Sequence, residues 1–199
     1  MFGLSNLIVQ GSVNSLGTDY VAAWTVHRNI DGLFWMVISS FCAAITTFTG
    51  QNYGAGKPDR VRRGMRCCMM MTLGSSLVMS WIFYNWAILG FQLFTDDAAV
   101  TEIGIHMMQY LCPFYITYVA VEVFSGTLRG VGDCWMPMIL CLFGVCILRS
   151  GWILVVVERA GTLETILFSY PLTWVITTIM FMIYYLFFSK LRIRSRIIP

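Results

Sequence analysis

Long apolar stretches separated by short polar segments dominate the chain. No formally charged side chain occurs from Gly32 to Gly56 or from Cys67 to Thr95. A membrane-spanning helix needs about 20 predominantly apolar residues. The two stretches therefore predict two transmembrane helices, joined by the basic segment from Gly50 to Arg66.

The same pattern predicts five complete membrane spans after a partial helix. Residues 1–18 contain polar side chains that interrupt their apolar run, so they resemble the second half of a polar-lined membrane helix. Pro113 falls inside the third predicted span, where a bundle helix tolerates proline as a kink, and Pro171 falls inside the fifth. The fold class expected is all-α integral membrane, a bundle of about five and a half transmembrane helices forming one domain over residues 1–199. The predicted spans are 21–51, 65–94, 103–129, 137–157 and 165–189, and a basic tail follows at 190–199.

Composition excludes an ordinary soluble domain. The chain is 58% hydrophobic and 12% charged, and its mean hydropathy is +0.73, far from soluble averages. None of the seven cysteines stands in a C-x-x-C arrangement with a second pair or with nearby histidines. We therefore expect the cysteines to act as small apolar side chains and predict no metal site.

Charge location predicts the orientation in the membrane. Ten of the thirteen basic residues follow the first, third and fifth spans. By the positive-inside rule this side is cytoplasmic, and the C-terminus lies there too. The ten residues are Lys57, Arg60, Arg62, Arg63, Arg66, Arg129, Lys190, Arg192, Arg194 and Arg196.

Charged residues inside spans are costly and usually face a partner or an interior cavity. Arg28 and Asp31 are three residues apart on one helix face, and we expect them to neutralise each other. Glu122 and Arg149 lie deeper, roughly 16 Å and 18 Å from the same cytoplasmic turn at a rise of about 1.5 Å per residue. They are predicted to meet near mid-membrane. A structural ion pair and a site that alternates between Arg149 and a coupling ion or proton both remain open.

Two further motifs suggest packing and ligand contacts. Gly126 and Gly130 form a G-x-x-x-G pair, which allows close helix packing. Trp81 and Tyr84 are candidates for stacking on an aromatic cation. The segment from Gly50 to Lys57 departs from the Walker A spacing, and proline follows its lysine, so nucleotide binding is rejected.

Three stretches resemble the multidrug and toxic compound extrusion (MATE) family of bacterial antiporters. They are Thr46–Lys57 at the end of one span, Glu122–Asp133 at the end of another, and Pro137 opening the next. The resemblance covers Met1 to Arg196. The residues that carry the family motifs are Gly50, Gln51, Asn52, Gly54, Gly56, Gly126, Arg129, Gly130 and Gly132.

Family members have twelve helices in two six-helix lobes around a cavity that opens alternately to each side. This chain resembles the last part of helix seven and helices eight to twelve, so the first lobe is absent. Some family members carry a coupling carboxylate in helix ten about one turn before Glu122, where this chain has Tyr118. Together with the charges inside the spans, the resemblance suggests five residues that would bind the coupling ion or proton: Glu122, Arg149, Asp31, Arg28 and Tyr118. Candidates for the substrate cavity are Asn6, Gln10, Asn14, Trp81 and Tyr84.

The function implied is Na⁺- or H⁺-coupled antiport that exports amphipathic, often cationic compounds, without enzymatic activity and with no cofactor beyond the coupling ion. The expected partners are the lipid bilayer, small-molecule substrates and a missing first-lobe half, with no nucleic acid. The expected location is the bacterial inner membrane. Two alternatives remain: a lipid-linked sugar flippase of the same superfamily, and a non-transporting fragment or accessory subunit.

Overall fold

The computed structural model describes residues 2–157 and 161–187, without the side chains of Phe2 and Leu4. Every regular secondary-structure element among these residues is a helix. A 3₁₀ turn, Cys112–Phe114, joins the fourth and fifth helices. The helices are α1 Phe2–Asn14, α2 Thr18–Gly54, α3 Pro58–Gln92, α4 Ala98–Leu111, α5 Tyr115–Gly130, α6 Trp135–Val157 and α7 Leu163–Phe187.

Five helical segments of the described chain are long and apolar enough to cross a membrane, counting α4 and α5 as one. The predicted all-α membrane fold is therefore confirmed. The 37 residues of α2 and the 35 of α3 would measure about 55 Å and 52 Å at a rise of about 1.5 Å per residue. Both exceed the roughly 30 Å hydrocarbon core of a bilayer, so their ends extend beyond it.

The basic segment after α2 is mostly helical, unlike the loop that we expected. Helix α3 begins at Pro58, so Arg60 and Arg66 lie in its first turns, and the connection shrinks to residues 55–57. Proline at the first helical position starts a helix readily, and Gly56 ends α2 in the left-handed region with a φ of +71°. Local capping thus determines the boundary, because solvated charges do not stop a helix. The end of the predicted last span, 188–189, and the basic tail, 190–199, lie outside the described residues.

Helix α6 changes its winding twice. Its residues Trp135–Cys141 and Leu148–Trp152 are α-helical, whereas Leu142–Ile147 and Ile153–Val157 form wider π-helical turns. Such turns occur frequently at functional sites. They leave Arg149 in a short α-helical segment between two widened ones.

Helices α2 and α5 pack closely through glycine. A Cβ placed on Gly126 would lie 2.8 Å from the Cys42 carbonyl oxygen, and one on Gly130 would lie 2.6 Å from that of Thr46. The predicted role of the G-x-x-x-G pair in packing within the bundle is thus confirmed. The close approach brings together α2, which carries Asp31, and α5, which carries Glu122.

Candidate functional site

A cavity of about 480 Å³ lies where α1, α2, α5, α6 and α7 meet. Its side chains come from positions one helical turn apart, which point to the same face. Tyr118 and Glu122 are such a pair on α5, and Tyr170 and Trp174 are another on α7. The cavity is therefore built from single faces of several helices. Asn6 of α1, Trp35 of α2 and Arg149 of α6 complete the polar and aromatic part of its wall.

Four aromatic rings form a connected cluster along the cavity. The Trp35 ring centre lies 5.1 Å from that of Tyr118 at an interplanar angle of 88°, and 6.0 Å from that of Trp174. Trp174 in turn meets Tyr170 edge-on, with the ring centres 5.7 Å apart. Edge-to-face contacts of this kind are favourable for aromatic pairs. The cluster gives the cavity a rigid aromatic surface.

Arg149 is buried at the side of this cluster, with 4% of its surface exposed. Its Nη2 donates a hydrogen bond to Thr173 Oγ1 at 3.0 Å, and its guanidinium carbon lies 3.9 Å from the centre of the Tyr170 ring. The buried Nε has no hydrogen-bond partner. A cation over an aromatic face is attracted by the ring, but neither contact supplies a negative charge.

Glu122 lies between two cavities. It lines the larger one and also a smaller one of about 220 Å³ between α5 and α6, to which Tyr118 and Arg129 contribute. The backbone carbonyl of Glu122 accepts a hydrogen bond from Cys42 Sγ at 3.2 Å. Cys42 Sγ in turn accepts one from Arg129 Nη2 at 2.9 Å. Glu122 thus stands at a boundary between two spaces within the lobe.

Neither predicted ion pair forms within the described residues. Asp31 instead accepts a hydrogen bond from Trp35 Nε1 at 2.6 Å, while Arg28 lies on the exposed side of α2. Glu122 and Arg149 line the same cavity, yet the guanidinium is turned towards Thr173 on α7. Glu122 and Arg149 thus share one site, as their similar depth predicted, but they form no ion pair there.

Of the five residues predicted to line the substrate cavity, one does so and four do not. Asn6 lines it, whereas Gln10 Nε2 donates to Asn14 Oδ1 at 3.0 Å, and neither of those two is among the lining residues. Trp81 and Tyr84 lie on α3 with 60% and 46% of their surfaces exposed. The structure does not place them at the cavity, because α3 packs on α2, α4 and α5 rather than on α6 and α7.

The motif residues shape the predicted cytoplasmic ends of the helices. Gly56 and Gly132 have φ values of +71° and +81°, a backbone conformation that residues with a Cβ atom rarely adopt. The two glycines lie just after the ends of α2 and α5. A Cβ on Gly50 would lie 3.5 Å from the Gly130 carbonyl oxygen, at ordinary contact distance. Most of the motif is thus structural. The other motif residues at the end of α2 are Gln51, Asn52 and Gly54.

Sequence reasoning missed three aromatic residues of the cavity, Trp35, Tyr170 and Trp174. Their spacing carried a signal. Trp35 follows Asp31 by one helical turn, and Trp174 follows Tyr170 by the same interval. Residues one helical turn apart lie on the same face of the helix. An aromatic residue at that spacing from an intramembrane charge, or from a second aromatic residue, is therefore a candidate for the same cavity wall.

The MatE family model matches residues 1–151 of the chain. Probable multidrug resistance protein NorM of Aromatoleum aromaticum is 28% identical over 141 residues, which cover 69% of this chain and 30% of that protein. Multidrug resistance protein PmpM of Pseudomonas aeruginosa is 26% identical over 131 residues, covering 66% and 28% respectively. The chain thus matches about 30% of the length of these curated relatives.

Solved structures share the fold of the chain. An outward-facing conformation of a multidrug resistance MATE family transporter has a TM-score of 0.83 at 17% identity, covering 96% of this chain and 42% of the other. An inward-facing conformation has a TM-score of 0.80 at 18% identity, covering 96% and 43%. The described helices therefore adopt the fold of part of a longer transporter.

Proposed function

The chain belongs to the MatE family, and on that premise we propose that it acts as the second lobe of an ion-coupled exporter of amphipathic compounds. The observation that carries the proposal is the position of Glu122, a half-buried carboxylate beside an aromatic cluster in an intramembrane cavity. Aromatic rings suit the apolar body of a drug, and they also attract a cationic group. The carboxylate suits either a cationic group or the coupling ion.

Export coupled to an ion gradient requires that the ion and the substrate disfavour each other's binding. If Glu122 takes up H⁺ or Na⁺, its negative charge is neutralised and a cationic substrate loses its partner. By linkage, the substrate weakens ion binding by the same factor. An ion that enters from the outer side then drives release of the substrate there. No covalent bond has to form or break in this cycle.

A second lobe needs a first one to close the transport pathway. The chain covers about 42% of the outward-facing structure and 43% of the inward-facing one, with similar TM-scores. This similarity supports a lobe that moves as a unit against the other lobe of the transporter. We place the lobe in the bacterial inner membrane, with Lys57, the basic start of α3 and the end of α5 in the cytoplasm.

A flippase for lipid-linked sugars fits the cavity less well. Pyrophosphate needs several cationic side chains around it, whereas this cavity combines one arginine, Arg149, with one carboxylate, Glu122. The mixed charge favours compounds that are cationic or carry both charges.

The proposal is tested by ethidium efflux from cells under an imposed Na⁺ or pH gradient. The chain alone should equal an empty vector, and co-expression with the first-lobe segment of a NorM relative should produce efflux. Glu122→Gln should abolish that efflux, whereas Asp59→Asn should retain it, because the Asp59 side chain is 83% exposed. Robust efflux from the chain alone, or full efflux with Glu122→Gln, would contradict the proposal.

A further inference from the structure

We infer that the outward side of α3 binds an anionic phospholipid, whose phosphate is held by Arg63 and Arg66 in the leaflet at the basic end of the helix. This surface, the α3 outer face, consists of exposed residues spaced three, four or seven apart, which share one side of a helix. They are Arg63, Arg66, Met70, Leu77, Trp81 and Tyr84. The inference does not depend on the role of Glu122 or on the transported compound.

The first argument is that the bundle leaves this face uncovered. Met70, Leu77 and Trp81 have 67%, 56% and 60% of their surfaces exposed, while the buried side of α3 packs on α2, α4 and α5. The cavity is lined from α1, α2, α5, α6 and α7, so closing it requires no contact with the α3 outer face. An exposed apolar face on a helix long enough to span a membrane marks a surface that contacts lipid.

The second argument is the distance between the polar ends of the face. Arg66 and Tyr84 are separated by about 27 Å at a rise of about 1.5 Å per residue, close to the roughly 30 Å hydrocarbon core of a bilayer. Tryptophan and tyrosine are enriched at membrane interfaces, which explains why Trp81 and Tyr84 stand at one end of the face rather than at the cavity. Arg66 then lies at the opposite boundary, at the level of the lipid headgroups.

The third argument is a pair of cations without a carboxylate. The salt bridge at the start of α3 joins Arg62 to Asp59 at 3.4 Å. Among the described residues, no carboxylate lies within 4.0 Å of the guanidinium nitrogens of Arg63 or Arg66. Residues three apart are neighbours on a helix surface, so both side chains can reach one phosphate. Arginine binds phosphate oxygens through paired N–H groups, and basic residues beside a span attract anionic lipids.

A second copy of the chain fits this face less well than a lipid. A two-fold contact places the same patch of both copies together. Arg63 and Arg66 of one copy would then face the same arginines of the other, and like charges placed together disfavour an interface. An anionic headgroup has the complementary charge.

Lipid preference at the face is measured with a fluorophore on Cys67, which is exposed and lies one turn after Arg63. Bimane is attached there in the full 199-residue chain, with the other six cysteines replaced by alanine. Vesicles contain phosphatidylglycerol and phosphatidylcholine with identical acyl chains, and one lipid at a time carries a nitroxide quencher near its headgroup. We expect phosphatidylglycerol to bind about fivefold more tightly for each arginine, and so about 25-fold in all.

Two double variants that lose the same charge separate a defined site from a diffuse attraction. Arg63→Gln with Arg66→Gln should reduce the preference to about onefold. Lys57→Gln with Arg60→Gln is the matched control, because Arg60 and Lys57 stand about 9 Å and 13 Å further from the membrane than Arg66, beyond a headgroup layer of roughly 5–8 Å. This control should keep at least about half of the preference.

Three results would overturn the inference. The first is equal quenching by the two lipids in the chain with both arginines present, a comparison that needs neither double variant to fold. The second is an equal loss of preference in the two double variants. The third is efficient disulfide cross-linking between Cys67 of two copies in the vesicles, which would show that a second copy covers the face instead of lipid.

Discussion

Gly130 on α5 lies so close to the backbone carbonyl of Thr46 on α2 that a Cβ at this glycine would be 2.6 Å from the oxygen. One turn earlier, Gly126 stands in the same relationship to Cys42. The same two helices carry Trp35 and Glu122, which both line the cavity. The glycine contact therefore holds together two of the helices that form the candidate site.

Gly130→Ala should destabilise the lobe. The added methyl group meets backbone, which cannot move aside as a side chain can, and overpacking of this kind costs about 1–3 kcal/mol. Gly74→Ala is the matched control, because nothing lies within 4 Å of its Cβ position and alanine is the better helix former by up to about 1 kcal/mol. Thermal unfolding in detergent would compare the two variants. Equal stability of Gly130→Ala and wild type would contradict the close packing.

The hydrogen bond from Trp35 Nε1 to Asp31 Oδ2, at 2.6 Å, should appear as an energetic coupling. A double-mutant cycle with Trp35→Phe and Asp31→Leu should give about 1 kcal/mol or more, because leucine has no acceptor and hydrogen bonds to charged groups are stronger than neutral ones. A second cycle that uses Trp81→Phe instead of Trp35→Phe provides the control, since Trp81 is 60% exposed on α3. Additive effects of the Trp35 and Asp31 changes on unfolding would refute this interaction.

Glu122→Gln and Arg149→Gln should have nearly additive effects on stability. The two side chains share a cavity but form no ion pair, so the interaction energy should stay below about 1 kcal/mol, well short of the roughly 3–5 kcal/mol lost when one partner of a buried pair is removed. Denaturation of both single variants and of the double variant in the same detergent would measure it. A static pair would instead make the second substitution relieve most of the loss caused by the first, and that rescue would argue against the structure.

The orientation is testable by labelling single cysteines. In a background without the seven native cysteines, a cysteine at Asp97 should react with a membrane-impermeant reagent on intact cells, and one at Asp59 should react only after lysis. The reason is the concentration of basic residues around Asp59. Labelling of the Asp59 position on intact cells would reverse the proposed topology.

The sequence alone determined the membrane character, the helical fold and the family, because these depend on local quantities. Uncharged length, the asymmetry of lysine and arginine, and the motif at Gly126 and Gly130 are all readable along the chain. The same local information predicted a kink at Pro113, where the structure has its 3₁₀ turn. Pro171 was predicted to lie inside the last span, and it lies within helix α7.

Only the tertiary structure decided which polar groups meet. Depth along two helices placed Glu122 and Arg149 at similar levels, but depth does not specify rotation about the helix axis. The π-helical turns on either side of Arg149 change that rotation, and Thr173 and Tyr170 on α7 hold the guanidinium. Likewise, the sequence made Trp81 a cavity candidate and missed Trp35, and only the packing of the helices placed Trp35 in the cavity and Trp81 on an exposed surface. Contacts between distant segments depend on helix rotation and crossing, and neither is set by the pattern of any single segment.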